Sequence, residues 1–175
     1  SGLEIGHSIR TPEQCLEEAA RDITVETALL EARPLWGNPA LYEQFRAMFI
    51  AALDTGKFIS SKLLEQRNRH HRFADSAYNL EPNLKDSPGG LRDLHLLGWL
   101  ARAAFGSRHE SRTRLTDSPY TVLSRAGLLA AHDARQLARV HDTLNLMRIH
   151  LHLLARLRED RLALDYQTLL AEYLG

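Results

Sequence analysis

The side chains best placed to do chemistry lie in one short run, Lys85-Asp86-Ser87-Pro88-Gly89-Gly90-Leu91-Arg92-Asp93. Two glycines stand between a lysine and an arginine, and the apolar period of a helix resumes directly after them. A helix N-terminus carries free N–H groups and a partial positive charge, so it attracts anions. Pro88-Gly89 suits the central positions of a type II turn, where glycine supplies a positive φ at little cost. Asn79, Glu81 and Asp93 add polar groups that are costly to bury without partners. The chemistry that fits is contact with a phosphate or nucleotide. A plain interhelical turn fits the same residues, with Arg92 and Asp93 tying neighbouring helices together. No Gly-Lys-Ser/Thr follows, so the run is not a Walker A loop.

Other chemistries find less support. His132-Asp133 and His141-Asp142 each spell the His-Asp pair of metal phosphohydrolases. On one helix they stand about 2.5 turns and about 13 Å apart, pointing to nearly opposite sides, so they cannot share an ion unaided. His70-His71 and the pair His150 and His152 lack the one-turn spacing of a helical zinc pair and read as structural or interfacial. Cys15, the only cysteine, falls inside a predicted helix, and no Gly-x-Ser-x-Gly elbow occurs. No two aspartates are separated by a single residue.

Tyr78-Asn79-Leu80-Glu81-Pro82-Asn83-Leu84-Lys85, two residues, then Pro88-Gly89-Gly90-Leu91-Arg92-Asp93-Leu94 resembles the signature of the bacterial PII uridylyltransferase/uridylyl-removing family. Gly6-His7-Ser8-Ile9-Arg10-Thr11, Leu29-Leu30-Glu31-Ala32-Arg33 and Arg158-Glu159-Asp160-Arg161-Leu162 with Asp165 and Gln167 look like the same family. The glutamine-synthetase adenylyltransferases carry a similar Lys/Gly-Gly/Arg-Asp segment. The Tyr78–Pro82 lead-in and the His7–Arg10 start favour the uridylyl enzymes over them.

The resemblance implies the helical domain that follows a nucleotidyltransferase core. The intact enzyme would move UMP from UTP to a tyrosine of the signal protein PII and hydrolyse it off elsewhere. Lys85 and Arg92 would neutralise phosphate charge, and the Gly89 and Gly90 amides would bind phosphate oxygens. Asp93 and Glu81 would orient those cations or position a metal-bound water, with Asn79, Arg158 and Arg161 in support. Such enzymes use clustered carboxylates, an Asp-x-Asp pair among them, to hold two metal ions. The Mg2+ ligands are therefore expected upstream of Ser1, with no catalytic residue and no metal in this chain, which alone would be inactive. A structural and interaction module, docking PII or neighbouring domains, is the alternative from another class.

Composition narrows the partners. Lys and Arg total 22, as do Asp and Glu, giving no sign of a polyanion-binding protein, so nucleic acid is disfavoured. No apolar run approaches the roughly 20 residues of a membrane span. One cysteine excludes an intrachain disulfide and fits a reducing cytoplasm. Ser1-Gly2 lacks the look of a natural start, so a piece of a longer protein is expected, with 1–10 a remnant of the preceding core or a linker and 11–175 the helical domain.

The elements that must position the loop read as helices throughout. Thr11-Pro12 with Gln14 spells a capping box for a helix to about Arg21. Asp22 caps a second helix to Arg33, although Ile23, Thr24, Val25 and Thr27 also allow a strand. Asn38-Pro39 starts a helix with Leu41, Phe45, Met48, Phe49, Ala52 and Leu53 on one face, ended by Gly56. The next helix, about Phe58 to Asp75, carries Lys57 at its start and Lys62, Arg67, Arg69 and Arg72 against Glu65 alone. It is either a solvated face or one wall of an anionic site. Leu91, Leu94, Leu97, Ala101, Ala104 and Phe105 give the helix after the loop its core face, with Gly106 closing it. A polar loop is expected over 107–118, then a short helix from Ser118-Pro119 to Gly127. The longest helix, about 130–158, has a seam of Leu137, Val140, Leu144, Met147, Leu151 and Leu154. Leu146, Ile149, Leu153 and Leu157 widen its apolar face toward a bundle core. Tyr166, Leu169, Leu170 and Tyr173 mark a last helix. The expected fold is all-α, a helical bundle with one long C-terminal helix and a short extended N-terminal segment.

Overall fold

The chain is all-helical in the computed structural model, which describes residues 6–73, 80–109 and 118–174. Ser1 to Ile5 lie outside the described residues, as does Asn79 of the motif run. The helices are α1 (Pro12–Arg21), α2 (Ile23–Leu30), α3 (Pro39–Ala52), α4 (Thr55–Arg72), α5 (Leu91–His109), α6 (Pro119–Arg125), α7 (Ala131–Ala155) and α8 (Leu164–Leu174). The fold separates into two compact units, Ser1–Phe58 and Ile59–Gly175. The longest described helix is α7, and α8 follows it.

In the first unit the caps set the helices. Thr11 and Gln14 form the expected reciprocal box, and the Asp22 and Asn38 side chains accept from the amides of Thr24 and Ala40. The strand allowed over 23–27 does not form. Asp22 satisfies the helix start, and the Thr27 hydroxyl donates to the Ile23 carbonyl one turn back, which absorbs the β-branched run into α2. Gly56 does not end α3. The terminator is Leu53 in extended conformation, and Asp54 then accepts from the Lys57 amide, so Gly56 sits in the first turn of α4. Leu41 and Ala52, expected on the core face of α3, are exposed.

In the second unit α7 is the spine. One cluster packs Leu151 of α7 with Leu84 of the loop, Leu162 and Leu170. The other packs Ala134 of α7 with Leu91 and Leu94 of α5 and Tyr120 of α6. Leu137 and Leu144 join this seam, but Val140 faces outward. Leu146, Ile149 and Leu153 do not widen the core; they form an exposed stripe on α7, on the side away from Leu151, and Leu157 beyond the helix end is exposed as well. On α5 the buried surface wraps around the helix, adding Leu96, Trp99 and Ala103 to the predicted face. Gly106 does not close α5, which runs on to His109, and 110–117 of the expected loop lie outside the described residues. Arg156, with φ 55°, and Gly127, with φ +74°, turn the chain out of α7 and α6.

The loop between α4 and α5 is folded on itself. The Asn83 side chain accepts from the amides of Lys85 and Asp86 at 3.0 and 2.7 Å. The amides of Gly90, Leu91 and Arg92 donate to the carbonyls of Ser87, Leu84 and Lys85 at 2.9, 3.0 and 2.8 Å. Gly89 takes the positive φ of +79° that the turn requires. Gly90 answers a different need: a Cβ there would stand 2.9 Å from three carbonyl oxygens, those of Leu84, Lys85 and Ser87. Gly90→Ala is therefore expected to destabilise the second unit by about 3 kcal/mol, against about 1 kcal/mol for Gly89→Ala, which meets only φ strain. Urea unfolding followed by circular dichroism checks this, and equal small losses would contradict it.

Candidate functional site

Two aspartates organise the motif residues. The first is Asp93, in the first turn of α5. Its carboxylate accepts from Gln66 Nε2 at 3.0 Å and from the Gly89 amide at 2.8 Å, and it pairs with the buried guanidinium of Arg69. His70 Nε2 lies 2.9 Å from Oδ2. Gln66, Arg69 and His70 share one face of α4 at helical spacing, so one carboxylate pins that helix to the glycine turn. Burial pushes the Asp93 carboxyl up, but the bonds from Gln66, Gly89 and His70 and the charge of Arg69 outweigh it and hold it below the usual range.

The second is Asp160, which follows α7. Arg148 Nε and His152 Nε2 of α7 reach its Oδ1 at 2.5 and 3.2 Å, and Lys85 Nζ lies 3.9 Å from Oδ2. Burial again raises this carboxyl, and the Arg148 and His152 hydrogen bonds with the charges of Arg148 and Lys85 bring it below its ordinary value. The backbone completes the join. Leu84 N–H donates to the Asp160 carbonyl and Leu162 N–H to that of Pro82, both at 2.8 Å, in an isolated antiparallel bridge between Asn83 and Arg161. The motif run and the Arg158–Leu162 stretch, far apart in sequence, thus form one site.

The structure places Lys85, Gly89, Gly90, Arg92 and Asp93 on or beside one loop, with Glu81 and Arg161 at its far side, and gives each a partner within the fold. The Gly89 and Gly90 amides do not point at a ligand: they are committed to Asp93 and to the Ser87 carbonyl. Asp93 faces Arg69 and His70 of α4 rather than Lys85 or Arg92. Glu81 accepts from the Leu164 amide that opens α8, at 3.1 Å, and pairs with Arg161 at 3.4 Å. Arg158 is exposed. Lys85 and Arg92 are 24% and 33% exposed, and Arg92 Nε lies 3.3 Å from Asp86. Among the described residues no His, Cys, Asp or Glu group is arranged to hold a metal ion; Asp93 and Asp160 are instead ringed by cationic and N–H donors.

The basic helix α4 divides by face. Lys62 is buried, 2.6 Å from Glu65 and 4.2 Å from the Trp99 ring centroid, so it holds α4 on α5. Arg67 is exposed to solvent. Arg69 and Arg72 line a concavity of about 310 Å³ with Arg92, Glu65, Asp86 and Phe73. Separately, a concavity of about 610 Å³ in the first unit is walled by Pro34, Trp36, Pro39 and Phe45; Arg10 and Arg33 of the family-like stretches line it, but no residue of the glycine loop does.

A family model described as GlnD PII-uridylyltransferase matches residues 57–175, which takes in the whole second unit and both aspartate centres. The chain belongs to this family. A bifunctional uridylyltransferase/uridylyl-removing enzyme of Thiobacillus denitrificans is 56% identical over 174 residues, covering 99% of this chain and 19% of the relative. Enzymes of the same description from Burkholderia orbicola and Burkholderia thailandensis are 47% identical over 175 residues, again 99% of this chain and 19% of each relative. The chain therefore spans about a fifth of the length of these curated relatives. The family matched is the uridylyl one, not its adenylyl counterpart. No solved structure matches the chain. No described helix is long and apolar enough to cross a membrane.

Gln66, Arg148 and His152 were not singled out from sequence as site residues. The signals are Gln-x-x-Arg-His on α4 and Arg-x-x-x-His on α7, donors one turn apart on a single helix face, which become legible only once an acid is known to face them. Asp93→Asn leaves Arg69 buried without its counter-charge and is expected to cost about 3 kcal/mol at pH 7. Both aspartates titrate low in the fold, so their stabilisation is present above the ordinary aspartate pKa of about 4 and is lost as pH falls through the folded values. The gap between wild type and Asp93→Asn should therefore narrow at pH 3. Urea unfolding at both pH values tests this, and a gap that widens in acid would contradict it.

Proposed function

We propose that this chain is the helical domain of a PII uridylyltransferase. In the intact enzyme it would help complete the cleft in which UMP passes from UTP to a tyrosine of PII. Residues 1–10 would be the remnant of the preceding nucleotidyltransferase core or a linker, and 11–175 the helical domain, in a cytoplasmic protein. The observation that carries the reading is the family match over the unit whose loop holds Lys85 and Arg92 partly exposed at its surface. Divalent metal, expected as Mg2+, would neutralise the reacting phosphates. Its ligands are assigned to the core outside this chain, because the carboxylates here that face the loop are already ringed by cations.

What the chain itself would supply is position and charge. Asp93 and Asp160 hold the loop on α4 and α7, and Lys85 and Arg92 face the phosphates across the domain border. A second reading is favoured by the exposed stripe Leu146, Ile149 and Leu153 of α7, which suits a module that docks PII or a neighbouring domain.

Lys85→Gln and Arg92→Gln in the intact enzyme separate the two. Turnover with magnesium, UTP and PII should fall by about tenfold or more for each, with folding and PII affinity unchanged. Loss of PII affinity with normal nucleotide binding would favour the docking module instead. The 175-residue chain alone should give no transfer; turnover by it would overturn the assignment of the metal ligands to another part of the enzyme.

A further inference from the structure

We infer that the concavity between the end of α4 and the start of α5 binds a phosphoanion, with Arg72 and Arg92 as the contacting cations and Arg69 as their support. This rests on the proposed nucleotide-facing role of the loop and moves the contact from the glycine amides to a guanidinium set.

Arg69, Arg72 and Arg92 line one hollow of about 310 Å³, and Glu65 and Asp86 are the acids on its wall. Each acid already faces a cation: Glu65 is 2.6 Å from the Lys62 ammonium and Asp86 is 3.3 Å from Arg92 Nε. Arg69 is 6% exposed and pairs with Asp93, yet its Nε–H is buried with no acceptor. A buried donor without a partner is costly, and its persistence beside a cationic hollow is a mark of an incomplete site. Arg72 is exposed at the rim and has no acidic partner among the described residues. Its place in the last turn of α4 suits the negative end of that helix, but this does not explain why Arg92, from the opposite helix, converges on the same hollow.

Guanidinium groups in a fixed fork match phosphate oxygens bidentately, and here two ion pairs pre-orient them. Three arginines on the wall make charge the feature a ligand would meet first. The hollow suits the oxyanion part of a nucleotide, a di- or triphosphate tail or pyrophosphate. Lys85 belongs to the Asp160 centre and is not part of this set.

The test titrates the chain with inorganic pyrophosphate by calorimetry at low salt, with UTP and uridine in parallel. Saturable binding of pyrophosphate and UTP, but not uridine, is expected. Arg72→Gln and Arg92→Gln should each weaken it about tenfold, and Arg67→Gln, on the same helix, should leave it unchanged. Circular dichroism checks that the variants fold. No saturable binding, or binding as sensitive to Arg67→Gln as to Arg72→Gln, overturns the inference. Binding that survives Arg72→Gln and Arg92→Gln but is lost in Lys85→Gln also overturns it, while leaving the nucleotide-facing loop intact.

Discussion

The carboxylate of Asp93 is the contact on which the motif region depends. It receives donors from two places: Gln66, Arg69 and His70 on α4, and the amide of Gly89 in the turn. An aspartate so placed has lost most of its water, and its donors offset the cost of burying the charge. Arg69, buried beside it, has the same need in reverse. The pair is stable as a unit and unstable when halved, which fixes the start of α5 against the end of α4. Asp160 repeats the arrangement on the other side of the loop, with Arg148, His152 and Lys85.

Between these two clamps the loop satisfies its own backbone. The amides that open α5 would be the natural place for an anion, yet they close onto loop carbonyls only a few residues upstream. Gly90 is required because those carbonyls crowd its α-carbon, and Gly89 because the turn needs positive φ. The glycines therefore make the loop compact, and any charge it offers a ligand must come from side chains. That division of labour underlies the proposed role of Arg92 and its neighbours on α4.

Much of the fold could be read in the residues. The caps at Thr11, Asp22 and Asn38 place three helix starts, and Pro88-Gly89 places the turn. Glycine misled where it was taken as a stop: Gly56 and Gly106 both lie within helices, since a cap at Asp54 and the packed length of α5 outweigh one unfavourable residue. The apolar count of α7 was right, but not its exposure. Nothing local distinguishes Leu151, which is fully buried, from Leu153, which is 66% exposed, until the neighbours on each side are known. The site was half legible. Asp93 stood out by its place beside the glycines, whereas its donors come from α4 and those of Asp160 from α7, and the spacing of those donors gains meaning only once the acid they face is known.

Amide hydrogen exchange at the start of α5 tests most directly whether the loop is closed on itself. The amides of Gly90, Leu91 and Arg92 should exchange in the free chain as slowly as those of the α5 core at Leu94 and Leu96, before any anion is added. Fast exchange in the free chain that slows on adding pyrophosphate would mean that these N–H groups are open and meet the anion themselves, contrary to the hydrogen bonding described above.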